Sequence, residues 1–251
     1  MPVMTKPLKI SAVSYLNTFP FVYGILKSGH LNDFHLDLDV PSACAEKLKN
    51  NKVDVALVPT GAIPEFDQSF IVSEYCIGAT GRVKTVLLLC NKPLEQIDTI
   101  YLDFDSRTSV KLVRILAEHY WKIKPEWNNL KPGQSELPEN LGSLVAIGDK
   151  TFELVKQYNY VYDLAEEWIR FTGLPIVFAV WLSTKDISQI LKEQLNQALS
   201  YGIQHKSAAL EYFKDKLPSC GDCLDYLENN ISFKFNEEKK KGLQLFLHYI
   251  K

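Results

Sequence analysis

An excess of positive charge, a long apolar run and a paired metal-binding motif are all missing from this chain. Lys and Arg together number 28 against 30 Asp and Glu, a net charge of -2, and just four of the basic residues are arginine. That balance excludes the basic stripe by which nucleic-acid surfaces are built, so no nucleic-acid partner is expected. No apolar run approaches the roughly 20 residues of a membrane span, and residues 1–9 are polar, without the apolar centre of a secretory signal. The expectation is a cytoplasmic protein with no membrane partner. The five cysteines (Cys44, Cys76, Cys90, Cys220, Cys223) are odd in number and scattered, so a disulfide framework is not expected. The spacing of Cys220-Gly-Asp-Cys223 is suggestive, yet a zinc site needs two more ligands, and His205 and His248 stand apart. A plain loop between C-terminal helices is the reading there, with no metal.

What is present is alternation of strand and helix patterns over 251 residues that are 46% hydrophobic, enough for one large core or two smaller ones. The chain is organised around residues 9–23, KISAVSYLNTFPFVY. An apolar strand breaks at Ser14-Tyr-Leu-Asn-Thr18, and a helix resumes behind Pro20, a residue suited to a first helical turn. Such a junction gathers unpaired backbone N–H groups and small polar side chains, and the helix's positive end favours an anion. Ser14, Asn17 and Thr18 are therefore candidate ligand-binding groups, although an Asn/Thr helix cap would leave the same trace.

Similar junctions follow. Residues 35–40 alternate as a strand ahead of Pro41-Ser42-Ala43, which caps a short helix over 44–49. The run VDVALV at 53–58 ends at Pro59-Thr60-Gly61, and clefts of open α/β sheets lie at such strand ends. Two long β-prone runs, FIVSEYCIGA and VKTVLLLC, occupy 70–90 with no helix after either, and read as a ribbon between domains that carries Thr85 past an interdomain cleft. A strand over 99–103 precedes Ser106-Arg-Thr-Ser109, which opens a helix over 110–121. There Arg107 is expected to join the helix dipole and the hydroxyls of Ser106, Thr108 and Ser109 in holding a carboxylate. Residues 127–140 carry Pro132-Gly133 and Pro138 and read as a surface loop. A buried strand over 143–147 then ends at Gly148-Asp149, with Asp149 capping a helix over 151–158. An amphipathic helix from 163 ends near Thr172-Gly173, and the apolar run IVFAVW at 176–181 is the return crossing. From 186 onward the pattern is helical, and the charge run at 237–241 is expected to be a solvated face.

A chain that leaves one α/β unit, builds a second and returns fits a two-lobed type II periplasmic-binding-protein-like fold with a central ligand cleft. Domain I is expected to comprise 1–86 with 179–251, and domain II 87–178.

Beyond the pattern lies a resemblance. The elements Ser14-Tyr-Leu-Asn-Thr18, VDVALVP at 53–59, Cys76-Ile-Gly78 with Gly81-Arg-Val-Lys-Thr-Val86, Leu102-Asp103 with Ser106-Arg-Thr-Ser109, Ile147-Gly-Asp149, Tyr162-Asp-Leu164 with Glu167-Trp168, and Thr172-Gly-Leu-Pro175 with Val177-Phe-Ala-Val-Trp181 occur in order. Together they resemble the chorismate dehydratase family of the futalosine route to menaquinone. Thr85 departs from the serine expected there but keeps the hydroxyl, and Ile176 replaces a phenylalanine. The resemblance implies loss of water from chorismate to give 3-[(1-carboxyvinyl)oxy]benzoate, with no metal or organic cofactor. Asn17 and Thr85 become catalytic candidates, and Ser14, Thr18, Ser42, Thr60, Gly61, Ser106, Arg107, Thr108, Ser109, Gly148 and Asp149 substrate-binding ones. Asp149 is the sole carboxylate among these candidate residues, and the resemblance implies that the substrate's own enolpyruvyl carboxylate removes the proton. Two alternatives stay open at this point, namely a non-catalytic binding module of the same fold and the related 1,4-dihydroxy-6-naphthoate synthase.

Overall fold

The computed structural model describes residues 6–103, 107–130 and 142–251. The chain enters through β1 (Leu8–Val13), makes one 3-10 turn over Leu16–Thr18, and passes directly into α1 (Phe19–Lys27). Pro20 stands in the first turn of that helix, where its missing N–H costs nothing. Next come β2 (Phe34–Asp39), α2 (Pro41–Lys49), β3 (Val55–Pro59), a 3-10 turn over Thr60–Glu65 and β4 (Phe70–Ala79). The helix expected from 44 begins at Pro41, because proline is itself tolerated at the first helical position.

After β4 the chain changes sheet. It forms β5 (Val86–Cys90), β6 (Thr99–Leu102), α3 (Arg107–Ile115) with a π-helical extension over Leu116–Trp121, and β7 (Glu126–Asn129). The strand β7 corrects the surface loop expected from 127. Its backbone pairs in parallel with β6, and partner hydrogen bonds override the polar composition. Residues 131–140 of that expected loop lie outside the described residues. Then follow β8 (Ser143–Ile147), α4 (Thr151–Leu154), β9 (Tyr160–Asp163) and α5 (Leu164–Thr172). Asp163 caps α5 by accepting from the N–H groups of Ala165 and Glu166, and Gly173 closes it at φ 72, the left-handed position glycine adopts without strain. The chain returns through β10 (Ile176–Ser183) and finishes in α6 (Gln189–Gln204), α7 (Lys206–Tyr212), α8 (Cys223–Asp225), β11 (Ser232–Lys234) and α9 (Glu237–Tyr249).

The first sheet has the order β11-β4-β10-β3-β1-β2 and the second β7-β6-β8-β5-β9. Strands β1, β2 and β3 are parallel, whereas β10 runs antiparallel between β3 and β4. All eight residues of β10 and all five of β3 are buried, which fits unbroken apolar runs in strands covered on both faces. Each fully buried aliphatic side chain there contributes about 1.5–3 kcal/mol relative to exposure, so the strand ends that carry the site are held firmly.

Three expectations for the C-terminal segment need correction. A short strand, β11, interrupts the helices and pairs with β4. Cys220 and Cys223 form a disulfide, their spacing being short enough to bring the two thiols together across one turn. Lys239, inside the charge run at 237–241, is fully buried. With Gly242, Leu243 and Phe246 it shares the buried face of α9, and its ammonium donates to the carbonyls of Ser232 and Lys234 at 2.7 Å each. Among the described residues no helix is long and apolar enough to cross a membrane, and no group of three or more His, Cys, Asp or Glu is placed to hold a metal ion.

Candidate functional site

Segments distant in sequence converge between the two sheets around a cavity of about 70 Å³. The first wall is the junction after β1. The Thr18 hydroxyl donates to the backbone carbonyls of Val13 and Tyr15, closing a turn so tight that Asn17 is presented sideways to the cavity it lines. Here the sequence Ser14-Tyr-Leu-Asn-Thr18 does double duty, with Thr18 building the turn and Asn17 using it.

The second wall is the crossing between β4 and β5. Its backbone is pinned from below by Asp163, whose carboxylate accepts the N–H groups of Val83 at 2.9 Å and Lys84 at 2.7 Å while also capping α5. Burial pushes this carboxyl up and the four donors pull it back, leaving it raised. The next residue, Thr85, is buried and lines the cavity.

The third wall is the start of α3, where Thr108 and Ser109 line the cavity. The Thr108 hydroxyl donates to the carbonyl of Phe178 at 3.1 Å and accepts the N–H of Gly61 at 3.0 Å. A Cβ at Gly61 would stand 2.6 Å from the carbonyl oxygen of Arg107, so glycine is what permits the turn after β3 to touch this helix. The fourth wall is Gly148 at φ 71, whose Cβ position lies 3.0 Å from the Tyr15 ring. Beside it, the Asp149 carboxylate accepts the N–H of Leu16 at 3.1 and 3.3 Å. Burial pushes Asp149 up to about 6, against the opposing pull of that N–H.

None of the described residues lining the cavity carries a charge. Its walls are apolar (Leu57, Pro59, Ile77, Phe178) and set with neutral donors. An anion here would be held by hydroxyls, an amide and the positive end of α3, while the apolar walls suit a flat ring.

The residues singled out from sequence divide accordingly. Asn17, Thr18, Thr85, Thr108, Ser109 and Gly148 are brought together on the cavity, with Asp149 beside them. Thr60 is fully buried behind it, its hydroxyl donating to the Val177 carbonyl at 2.7 Å, and Gly61 supplies its N–H to Thr108. Ser14 is exposed, Ser42 is half-buried in α2 and Pro41 lines the cavity instead. Ser106 lies outside the described residues. Arg107 needs correction as the expected carboxylate clamp. Its guanidinium bonds to Glu65 and, at 3.3 Å, to Glu46, because a long side chain at a helix end reaches the nearest carboxylates rather than turning inward. Asp149 is likewise not the cap expected for α4, whose flanking Lys150 makes no side-chain cap either; the Leu16 N–H claims its carboxylate. Sequence reasoning missed Tyr15, Asp163 and Tyr226. The first two stand inside recognised motifs, whereas Tyr226 has no local signal.

Two sheets, two crossings between them and strand ends facing a shared cavity define the periplasmic-binding-protein class of fold. The structure of a protein from Archaeoglobus fulgidus superposes with a TM-score of 0.74 at 13% identity, covering 98% of this chain and 97% of that one. The aliphatic sulphonate binding protein SsuA of Escherichia coli superposes at 0.61, with 13% identity over 97% and 92% of the two chains. Sequence carries the relation further: the family model described as menaquinone biosynthesis matches residues 8–251, and the chain belongs to that family. A chorismate dehydratase of Thermus thermophilus is 22% identical over 261 residues, covering 96% of this chain and 94% of the relative.

Proposed function

We propose that this protein is a chorismate dehydratase of the menaquinone route, acting in the cytoplasm without metal or organic cofactor. The observation that carries the reading is the cavity itself, set between Asn17, Thr85 and the start of α3 and walled by neutral donors and apolar side chains.

The chemistry fits those groups. Removal of the C3 proton of chorismate places negative charge on the ring carboxylate across a double bond, and departure of the C4 hydroxyl completes the aromatic ring, so one proton and one hydroxide leave as water. Catalysis needs preorganised donors at the carboxylate, a base near C3 and exclusion of water. The hydroxyls of Thr85 and Ser109 and the amide of Asn17 supply donors, with Thr108 bracing the turn beside them. No lining side chain among those described is a base, and we assign that role to the substrate's enolpyruvyl carboxylate, leaving the protein to bind and orient. Asp149, a fold element of the same wall, holds the first junction closed through Leu16.

With domain I as 1–86 plus 179–251 and domain II as 87–178, entry and closure follow from a hinge at the two crossings. Incubation of the protein with chorismate, followed by mass spectrometry, should show loss of one water and an aromatic product. Unchanged chorismate would remove the reading. The likeness to a sulphonate-binding fold supports a second one, a binding protein without turnover, for which chorismate would bind and remain intact.

A further inference from the structure

Behind the cavity, and not among its lining residues, stands Tyr226. It is 1% exposed, and its hydroxyl lies 2.8 Å from Thr85 Oγ1. The Asn17 side chain stands close enough to the same hydroxyl to oppose the rise of its pKa. We propose that Tyr226 is a positioning residue that locks Asn17 and Thr85 into one mutual orientation. The inference rests on the dehydratase reading for what those two groups act upon.

Proton counting gives the proposal its content. Burial pushes the phenol's pKa upward, and the carboxylates of Asp149 and Asp163 add to the push, so the hydroxyl keeps its proton. A neutral phenol has one proton to give and two lone pairs. With two polar partners on one buried hydroxyl, the partner that receives the proton and the partner that donates are set together, which orders the Thr85 rotor and the Asn17 amide at once. The Thr85 hydroxyl also faces the Val83 carbonyl, at 3.4 Å, too long to fix the rotor.

The segment carrying Tyr226 is clamped to the crossing it serves. Asp222 caps α8 by accepting the N–H of Asp225 at 2.9 Å, and its carbonyl accepts the N–H of Tyr226 at 3.1 Å. Downstream, Asn230 donates to the carbonyl of Arg82 at 2.9 Å, and Asp225 faces Lys84 at 3.4 Å. Residues 222–230 therefore grip the crossing at Arg82, Lys84 and Thr85. The tyrosine ring stands edge-on to Phe152 at 5.4 Å between centroids, a contact that phenylalanine preserves.

The test is Tyr226→Phe, which removes one oxygen. With chorismate the variant should lose about tenfold to a hundredfold in kcat, the scale of misplacing a reacting group, with KM within about twofold and Tm within a few degrees. In a Thr85→Val background the same substitution should cost less than about threefold, since its effect passes through Thr85. A wild-type kcat in Tyr226→Phe, or full additivity, would overturn the proposal. Independently of turnover, the Asn17 side-chain amide should give one sharp NMR pair in the ligand-free protein and a shifted, broadened pair in Tyr226→Phe. An unchanged pair would also overturn it. If the wild type leaves chorismate intact, the dehydratase reading falls and the amide spectrum decides the positioning role alone.

Discussion

Asn17 and Arg107 stand at equivalent places, each at a junction where a strand gives way to a helix, and the structure treats them oppositely. The amide of Asn17 is short and rides on a turn closed by the Thr18 hydroxyl, so the backbone carries it to the cavity. The guanidinium of Arg107 has four rotatable bonds and finds Glu65 and Glu46. Reach, which made the arginine attractive as a clamp, is what let surface carboxylates take it. On the proposed reading, an anion would be held here by neutral donors instead of by one strong cation.

The largest effect should come from the short side chain. Asn17→Ala is expected to lower kcat about a hundredfold to a thousandfold, the scale of losing one preorganised donor, with Tm nearly unchanged because the position is a turn and not core. Steady-state turnover with a thermal melt beside it measures both, and a normal kcat would dissolve the contrast with Arg107.

The wall opposite Asn17 offers the next test. Gly148→Ala should cost about 1–2 kcal/mol of stability from the left-handed backbone alone, and more from the Tyr15 ring 3.0 Å from the new methyl. Urea unfolding reads this, and wild-type stability would show that Tyr15 can move aside.

Asp149 sharpens the comparison through pH. Its pKa is raised to about 6 by burial, above the unfolded value, so its contribution is fully present below about pH 4 and is lost as pH rises through 6. Between about pH 4 and 7 the wild type should lose on the order of 1–2 kcal/mol relative to Asp149→Asn. Parallel pH profiles of Tm for the two proteins would show that burial does not raise the carboxyl's pKa.

The smallest effect is expected from Arg107→Ala. A partly exposed ion pair of this kind contributes about 0–1 kcal/mol, and ligand affinity should change by less than about twofold. A tenfold loss by calorimetry would restore the arginine to the site.

Much of the fold was legible in the sequence because its central strands are unbroken apolar runs. The runs at 70–79 and 143–147 coincide with β4 and β8, and Thr172-Gly173 ends α5 as the glycine signal demands. Weak or overruled signals account for the misses. Three residues of β11 carry no readable alternation, and β7 owes its strand to the neighbouring β6. Lys239 was readable after all, since 239, 242, 243 and 246 follow helical spacing and mark a buried face, but a run of charges masked the period. At the site, the turn-borne residues Asn17, Thr85 and Gly148 could be found locally. Tyr226 could not, because its role arises from a contact 141 residues away along the chain.

The most direct test of the central claim is a crystal structure of the protein with 3-[(1-carboxyvinyl)oxy]benzoate. The account predicts the ring between Asn17, Thr85 and the start of α3, a carboxylate on the Thr108 and Ser109 side, and Arg107 still bonded to Glu65. Product bound outside this cavity, or held by Arg107, would contradict it.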